Sequence, residues 1–80
     1  MKEGEWFKSF NFENTKTFYH IISIQDEEIV VVEEYFYHSL FKKILKVKTI
    51  SYPLKWWLEQ IIKNDIYEIA KCNIPFLFKF

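Results

Sequence analysis

The stretch from Thr17 to Tyr37 constrains this chain more than any other. It carries Thr17, Phe18, Tyr19, Ile21, Ile22 and Ile24, then a polar Asp26-Glu27 pair, then Ile29-Val30-Val31-Val32 and Tyr35-Phe36-Tyr37. β-Branched and aromatic side chains suit a pleated, half-buried surface. Two such runs across a short polar gap predict a β-hairpin, with strands over 17–25 and 28–37. An isolated hairpin is marginal in water, so further strands are required. Glu5 to Phe12 supplies one, with Trp6, Phe10 and Phe12 on one parity, and Glu13-Asn14-Thr15-Lys16 reads as the turn after it. Ile44 to Ile50 supplies another, alternating through Lys46-Val47-Lys48. Between them, residues 38–43 could form a short helix capped by Ser39 or a hairpin loop. The period-two pattern that follows favours the loop.

The period changes at Leu54. Leu54, Trp57, Leu58, Ile61 and Ile62 follow the spacing of one helical face. They predict an amphipathic helix over about 53–64, with Ser51 as candidate N-cap and Pro53 in the first turn. Lys63 suits its C-terminal end, and Asn64 a left-handed stop. Ile66 to Lys71 reads as a short strand, broken by Asn73-Ile74-Pro75. Phe76, Phe78 and Phe80 then share one parity, as a final strand or a docked tail. The expected fold is one α+β domain over residues 1–80. It is an antiparallel sheet of about four to six strands with the helix packed on one face, in the order β-β-β-β-α-β, with or without one more strand.

A chain of eighty residues buries only about 60% of the surface its unfolded form exposes. Nine Phe, five Tyr and three Trp are therefore more aromatic side chains than one thin core hides. Trp57 lies on the inner helical stripe. Trp56 lies nearly opposite its centre, flanked by Lys55 and Lys63, and is a candidate anchor for a protein partner unless it lies down on a neighbouring strand. Alternation puts Tyr35 and Tyr37 on one face of their strand with Ile29 and Val31, and Phe36 on the other with Val30 and Val32. Both faces are apolar, so the second must be covered by the N-terminal segment or by a partner.

Eleven lysines, no arginine and eleven acidic residues give zero net charge. The charges are segregated. From Thr17 to Phe41 all are acidic (Asp26, Glu27, Glu28, Glu33, Glu34), and from Lys42 to Leu58 all are basic (Lys42, Lys43, Lys46, Lys48, Lys55). Glu33 or Glu34 can sit opposite Lys46 or Lys48 as cross-strand ion pairs, or the two signs can steer a protein partner into one orientation. Without arginine, sequence-specific duplex DNA is a poor partner. Phe, Ile, Asn, Lys and Tyr make up half the chain, so AT-rich coding also accounts for the lysine bias. Single-stranded nucleic acid held by aromatics and Lys42, Lys43, Lys46 and Lys48 is a second reading, opposed by the acidic charge on the 28–37 strand. A homodimer that buries an exposed sheet face against itself is a third.

Little in the sequence points to chemistry. His20, His38 and Cys72 lack metal-ligand spacing, and a single cysteine makes no internal disulfide. Glu33 and Glu34 point to opposite faces of a strand, so they form no dyad. Gly4 is the only glycine, which leaves no phosphate loop. The expectation is a non-enzymatic chain without cofactor or metal. The opening MKEGEWFKSF is charged, and no apolar run reaches the roughly 18–20 residues that span a bilayer, so the cytoplasm is expected and a membrane partner is not.

In length, AT-rich composition, bipolar charge, surplus aromatics and lack of a catalytic constellation, the whole chain resembles the small phage or mobile-element proteins that inhibit host defence, such as anti-CRISPR proteins. The resemblance is one of format and carries no motif. It implies an inhibitor that binds a larger host protein in the host cytoplasm.

Overall fold

The structure is a computed structural model that describes residues 1–70 and 73–75, with the backbone alone at 10–12. The expectations placed on Cys72, on a strand over Phe76 to Phe80 and on the parity of Phe10 and Phe12 lie outside the described residues. Among the described residues, five strands and one helix follow in the order β1 (Trp6–Phe12), β2 (Thr15–Gln25), β3 (Ile29–His38), β4 (Lys43–Pro53), α1 (Leu54–Ile62) and β5 (Tyr67–Ile69). This is the α+β order expected from the sequence. His38 ends β3, residues 39–42 are the turn and Lys43 begins β4, so this stretch is not a helix.

The first four strands form an antiparallel meander, and the sheet order is β4-β3-β2-β1-β5. The last strand pairs with β1, so the chain crosses from one edge of the sheet to the other between β4 and β5. Four strand spacings are about 19 Å. Helix α1 has nine residues, or about 14 Å of rise, and the turn after it completes the distance. Asn64 takes φ 61°, the left-handed stop that asparagine favours, and Asp65 N–H bonds back to the Gln60 carbonyl at 2.9 Å. At the other end the expected cap is absent. Pro53 occupies the N-cap position with no side-chain hydrogen bond, and Ser51 remains in β4. The Leu54 N–H instead donates to the Glu28 carbonyl at 2.7 Å, tying the helix start to the β2–β3 turn.

Both sheet faces are apolar, as the β3 alternation requires, and each carries its own cluster. On the helix side Phe7, Tyr19, Ile21, Val30, Val32 and Ile66 surround Trp57, which is fully buried. The Trp57 indole meets Phe7 and Tyr19 edge-on at 5.5 and 5.2 Å. The other cluster joins Trp6, Phe18, Tyr35 and Tyr37 to Ile74. The cover over Tyr35 and Tyr37 therefore includes Ile74, from the segment after β5, and not only the N-terminal strand.

The β2–β3 turn carries a local cost. Asp26 and Glu27 both have positive φ, 52° and 56°, and Glu28 N–H bonds to the Gln25 carbonyl at 2.9 Å. Two consecutive left-handed residues match the right-handed twist of the flanking strands but disfavour a side chain such as glutamate. Glu27→Gly is expected to raise stability by about 0.5–1 kcal/mol, read as a higher urea midpoint at unchanged slope.

Candidate functional site

Among the described residues strand β4 is the long edge of the sheet. Its eleven residues carry Lys43, Lys46 and Lys48 and no acidic residue. Its register against β3 is irregular only between Phe36 and Tyr37, where Leu45 bulges out, 53% exposed. From Lys46 to Pro53 the pairing is continuous: Lys46 faces Phe36, Val47 faces Tyr35, Lys48 faces Glu34 and Thr49 faces Glu33. Val47 is exposed. At the head of the strand the β3–β4 turn displays Leu40 and Phe41, Phe41 stacks on the His38 ring at 4.5 Å, and Lys42 sits at φ 51°. At its foot Trp56 lies flat on Tyr52, with centroids 4.7 Å apart and planes 14° apart, and keeps 39% of its surface exposed. Trp56 thus answers to both sequence readings: one ring face packs on a strand residue, and the rest faces solvent. Lys55 is exposed beside it.

Lys43, Lys46 and Lys48 lie along β4, Lys42 in the turn at its head, and Lys55 and Trp56 in the first turn of α1 at its foot. Lys63 is also exposed but stands at the helix C-cap, about 12 Å further along the axis. The remaining candidates, Tyr35, Tyr37, Glu33 and Glu34, are buried or half-buried. Tyr35 and Tyr37 are buried among the second cluster. Glu34 is 5% exposed. It accepts a hydrogen bond from the Tyr52 hydroxyl at 3.1 Å, and Lys48 Nζ lies 3.5 Å from its other oxygen. Glu34 and Lys48 are the cross-strand pair that the alternation allowed. Burial pushes the Tyr52 phenol above its ordinary value, and the neighbouring carboxylate adds to the shift. Glu33 is half-buried and held at 3.2 Å from His20 Nδ1 and 3.3 Å from the Tyr35 hydroxyl. With the β3 acids withdrawn, the face presented by β4 is basic. The exposed acids of the hairpin are Asp26, Glu27 and Glu28, at the opposite end of β3 from the β3–β4 turn.

Two arrangements were not legible in the sequence. The helical stripe is narrower than its spacing implies. Leu54, Trp57 and Ile61 face the sheet, whereas Leu58 and Ile62 are 43% and 80% exposed. Leu58 lines a shallow groove of about 420 Å³ with Leu54, Pro53, Lys55, Glu27 and Glu28. Glu5 and Glu68 form a carboxyl pair that the β1–β5 pairing assembles, since Glu68 lies opposite Phe7. Their mutual hydrogen bond holds Glu5 below and Glu68 above the usual carboxylate value. The pair borders an open cleft of about 330 Å³ lined by Lys2, Gly4, Trp6 and Ile69.

The His20 ring stacks on Trp6 at 4.5 Å and 13°, and its Nδ1 faces Glu33. This is the geometry of a base and its orienting carboxylate, but no nucleophilic side chain is hydrogen-bonded to it among the described residues. Among the described residues no group of three or more His, Cys, Asp and Glu is placed to hold a metal ion, and no helix is long and apolar enough to cross a membrane. No protein-family model, curated protein or solved structure matches this chain.

Proposed function

We propose that this chain is a non-enzymatic protein-binding module whose contact surface runs along β4 from the Phe41 turn to Trp56. One observation carries the reading. An edge strand whose charges are all lysines is flanked by exposed apolar side chains, Phe41, Leu45 and Val47, and ends at a half-exposed tryptophan already fixed by Tyr52. Fixed aromatic anchors beside charged residues are what protein interfaces use: the anchor supplies affinity and the charge supplies orientation. The format shared with small anti-defence proteins makes a larger host protein the first class of partner to seek, with this chain as its inhibitor. The burial of Tyr35 and Tyr37 works against the single-strand reading, because the rings on which bases would stack are in the core.

Affinity capture from a low-GC bacterial lysate tests the reading. The wild-type chain is expected to retain a protein that Trp56→Ala loses by about tenfold or more, and that the Lys43→Glu/Lys46→Glu variant loses in a salt-dependent way. Trp56→Ala should cost only about 1 kcal/mol of stability, measured on the same samples by urea unfolding, because the ring is half exposed. Equal retention by both variants would remove this surface as the site. A captured fraction abolished by nuclease would remove the reading in favour of nucleic acid.

A further inference from the structure

We propose that the outer edge of β4 takes an acidic, extended segment of a protein partner as an added strand. The inference rests on the binding-module reading and specifies its partner.

Within the described residues β4 is paired on its β3 side and ends the sheet. From Lys46 to Pro53 it is regular, so alternate residues direct N–H and C=O groups outward in register, a template for another strand. The opposite edge strand, β5, has three residues and offers too short a template. The charge on β4 selects what can add. A second copy paired parallel and in register, or antiparallel about Val47, would set lysine opposite lysine, and like charges directly opposite destabilise a strand pair. In those registers the lysines disfavour self-pairing, and they leave the edge open to the opposite sign. Lys43 and Lys46 are exposed, and neither is ion-paired among the described residues; Lys48 is 40% exposed although it lies near Glu34. Pairing parity sharpens the partner's pattern. Lys46 and Lys48 project to the helix side, whereas Val47 and Thr49 project to the other face. An incoming strand meets both with an acidic residue at every second position and a β-branched or apolar residue between.

Two synthetic eight-residue peptides test this, one alternating Glu and Val, the other Lys and Val. Binding is followed by amide chemical shifts and hydrogen exchange of the intact chain. The acidic peptide is expected to shift and protect outward amides between Lys46 and Ser51. Its affinity should fall about tenfold as salt rises from ~50 to ~500 mM. Lys43→Glu/Lys46→Glu should transfer the preference to the basic peptide. Adjacent strand residues point their amides in opposite directions, so one of Val47→Pro and Lys48→Pro removes an outward N–H while sparing the β3 ladder. Whichever variant keeps the native spectrum should lose the acidic peptide. Several results overturn the proposal: no perturbation of β4 by the acidic peptide, shifts without exchange protection, equal binding of both peptides, or a β4-mediated dimer in sedimentation. A lysate partner retained through Trp56 while the β4 amides exchange freely would overturn the added strand alone and leave the binding reading standing.

Discussion

Trp57→Ala is expected to lower stability by about 4 kcal/mol, which for a domain of this size removes most of what it has. The indole is fully buried and is the one side chain of α1 that is. It touches rings from β1, β2 and β4: Phe7, Tyr19 and Tyr52. Alanine would leave a cavity bounded by three strands that are held in register by their own ladders and cannot collapse to fill it. Urea unfolding should show the loss, with near-ultraviolet circular dichroism weakened before denaturant is added. Trp57→Phe separates packing from polarity. The indole N–H is buried with no acceptor among the described residues. Phenylalanine removes that orphaned donor along with some volume, so its cost should stay near 1–2 kcal/mol. A Trp57→Ala domain as stable as wild type would mean that the helix does not close the core.

Alkaline pH should destabilise the domain. Burial raises the Tyr19, Tyr35 and Tyr52 phenols above their ordinary value near 10, and nearby Glu34 or Glu33 raises them further. In the unfolded chain all three ionise at about pH 10. In the folded chain they keep their protons to higher pH. Their contribution is fully present below pH 10 and is lost as pH rises from there toward the folded values. The three losses fall in the same pH range, so they add. Urea midpoints at about pH 9, 10 and 11 measure the slope, and phenolate absorbance should appear together with unfolding. Tyr52→Phe should flatten the slope by about one tyrosine's share. A midpoint constant across that range would show that these hydroxyls titrate freely in the folded state.

The sheet was legible because its strands announce themselves locally. Ile29-Val30-Val31-Val32 and Tyr35-Phe36-Tyr37 fix β3 by residue type, and the Asp26-Glu27 gap fixes the hairpin. Helix α1 was legible from spacing and its end from Asn64. Its start was not. The Leu54 N–H is satisfied by the Glu28 carbonyl, a tertiary contact twenty-six residues away in the chain, where local reading looks for a serine. The basic residues of the proposed surface were legible as exposed side chains, since a lysine on an edge strand stays exposed. It was not legible in its acidic half. Glu34 looks like surface in the sequence, but the tilt of Tyr52 and the reach of Lys48 make it a buried acceptor. Tyr35 and Tyr37 were candidates because nothing in sequence shows that Ile74 lies against their cluster. The Glu5–Glu68 pair depends on which strand β5 joins, and that is decided by a crossing connection with no local signature.

That crossing connection also sets a schedule. A chain made from its N-terminus has all four meander strands by Pro53, and each pairs with its sequence neighbour, so the sheet needs nothing downstream to begin forming. Until residue 57 emerges, the face formed by Phe7, Tyr19, Ile21, Val30 and Val32 is bare, a sticky surface on a half-made molecule. The nine residues of α1 are thus a closing bolt that arrives after the sheet it covers, and newly synthesised copies are most vulnerable to one another in the interval before it slides home.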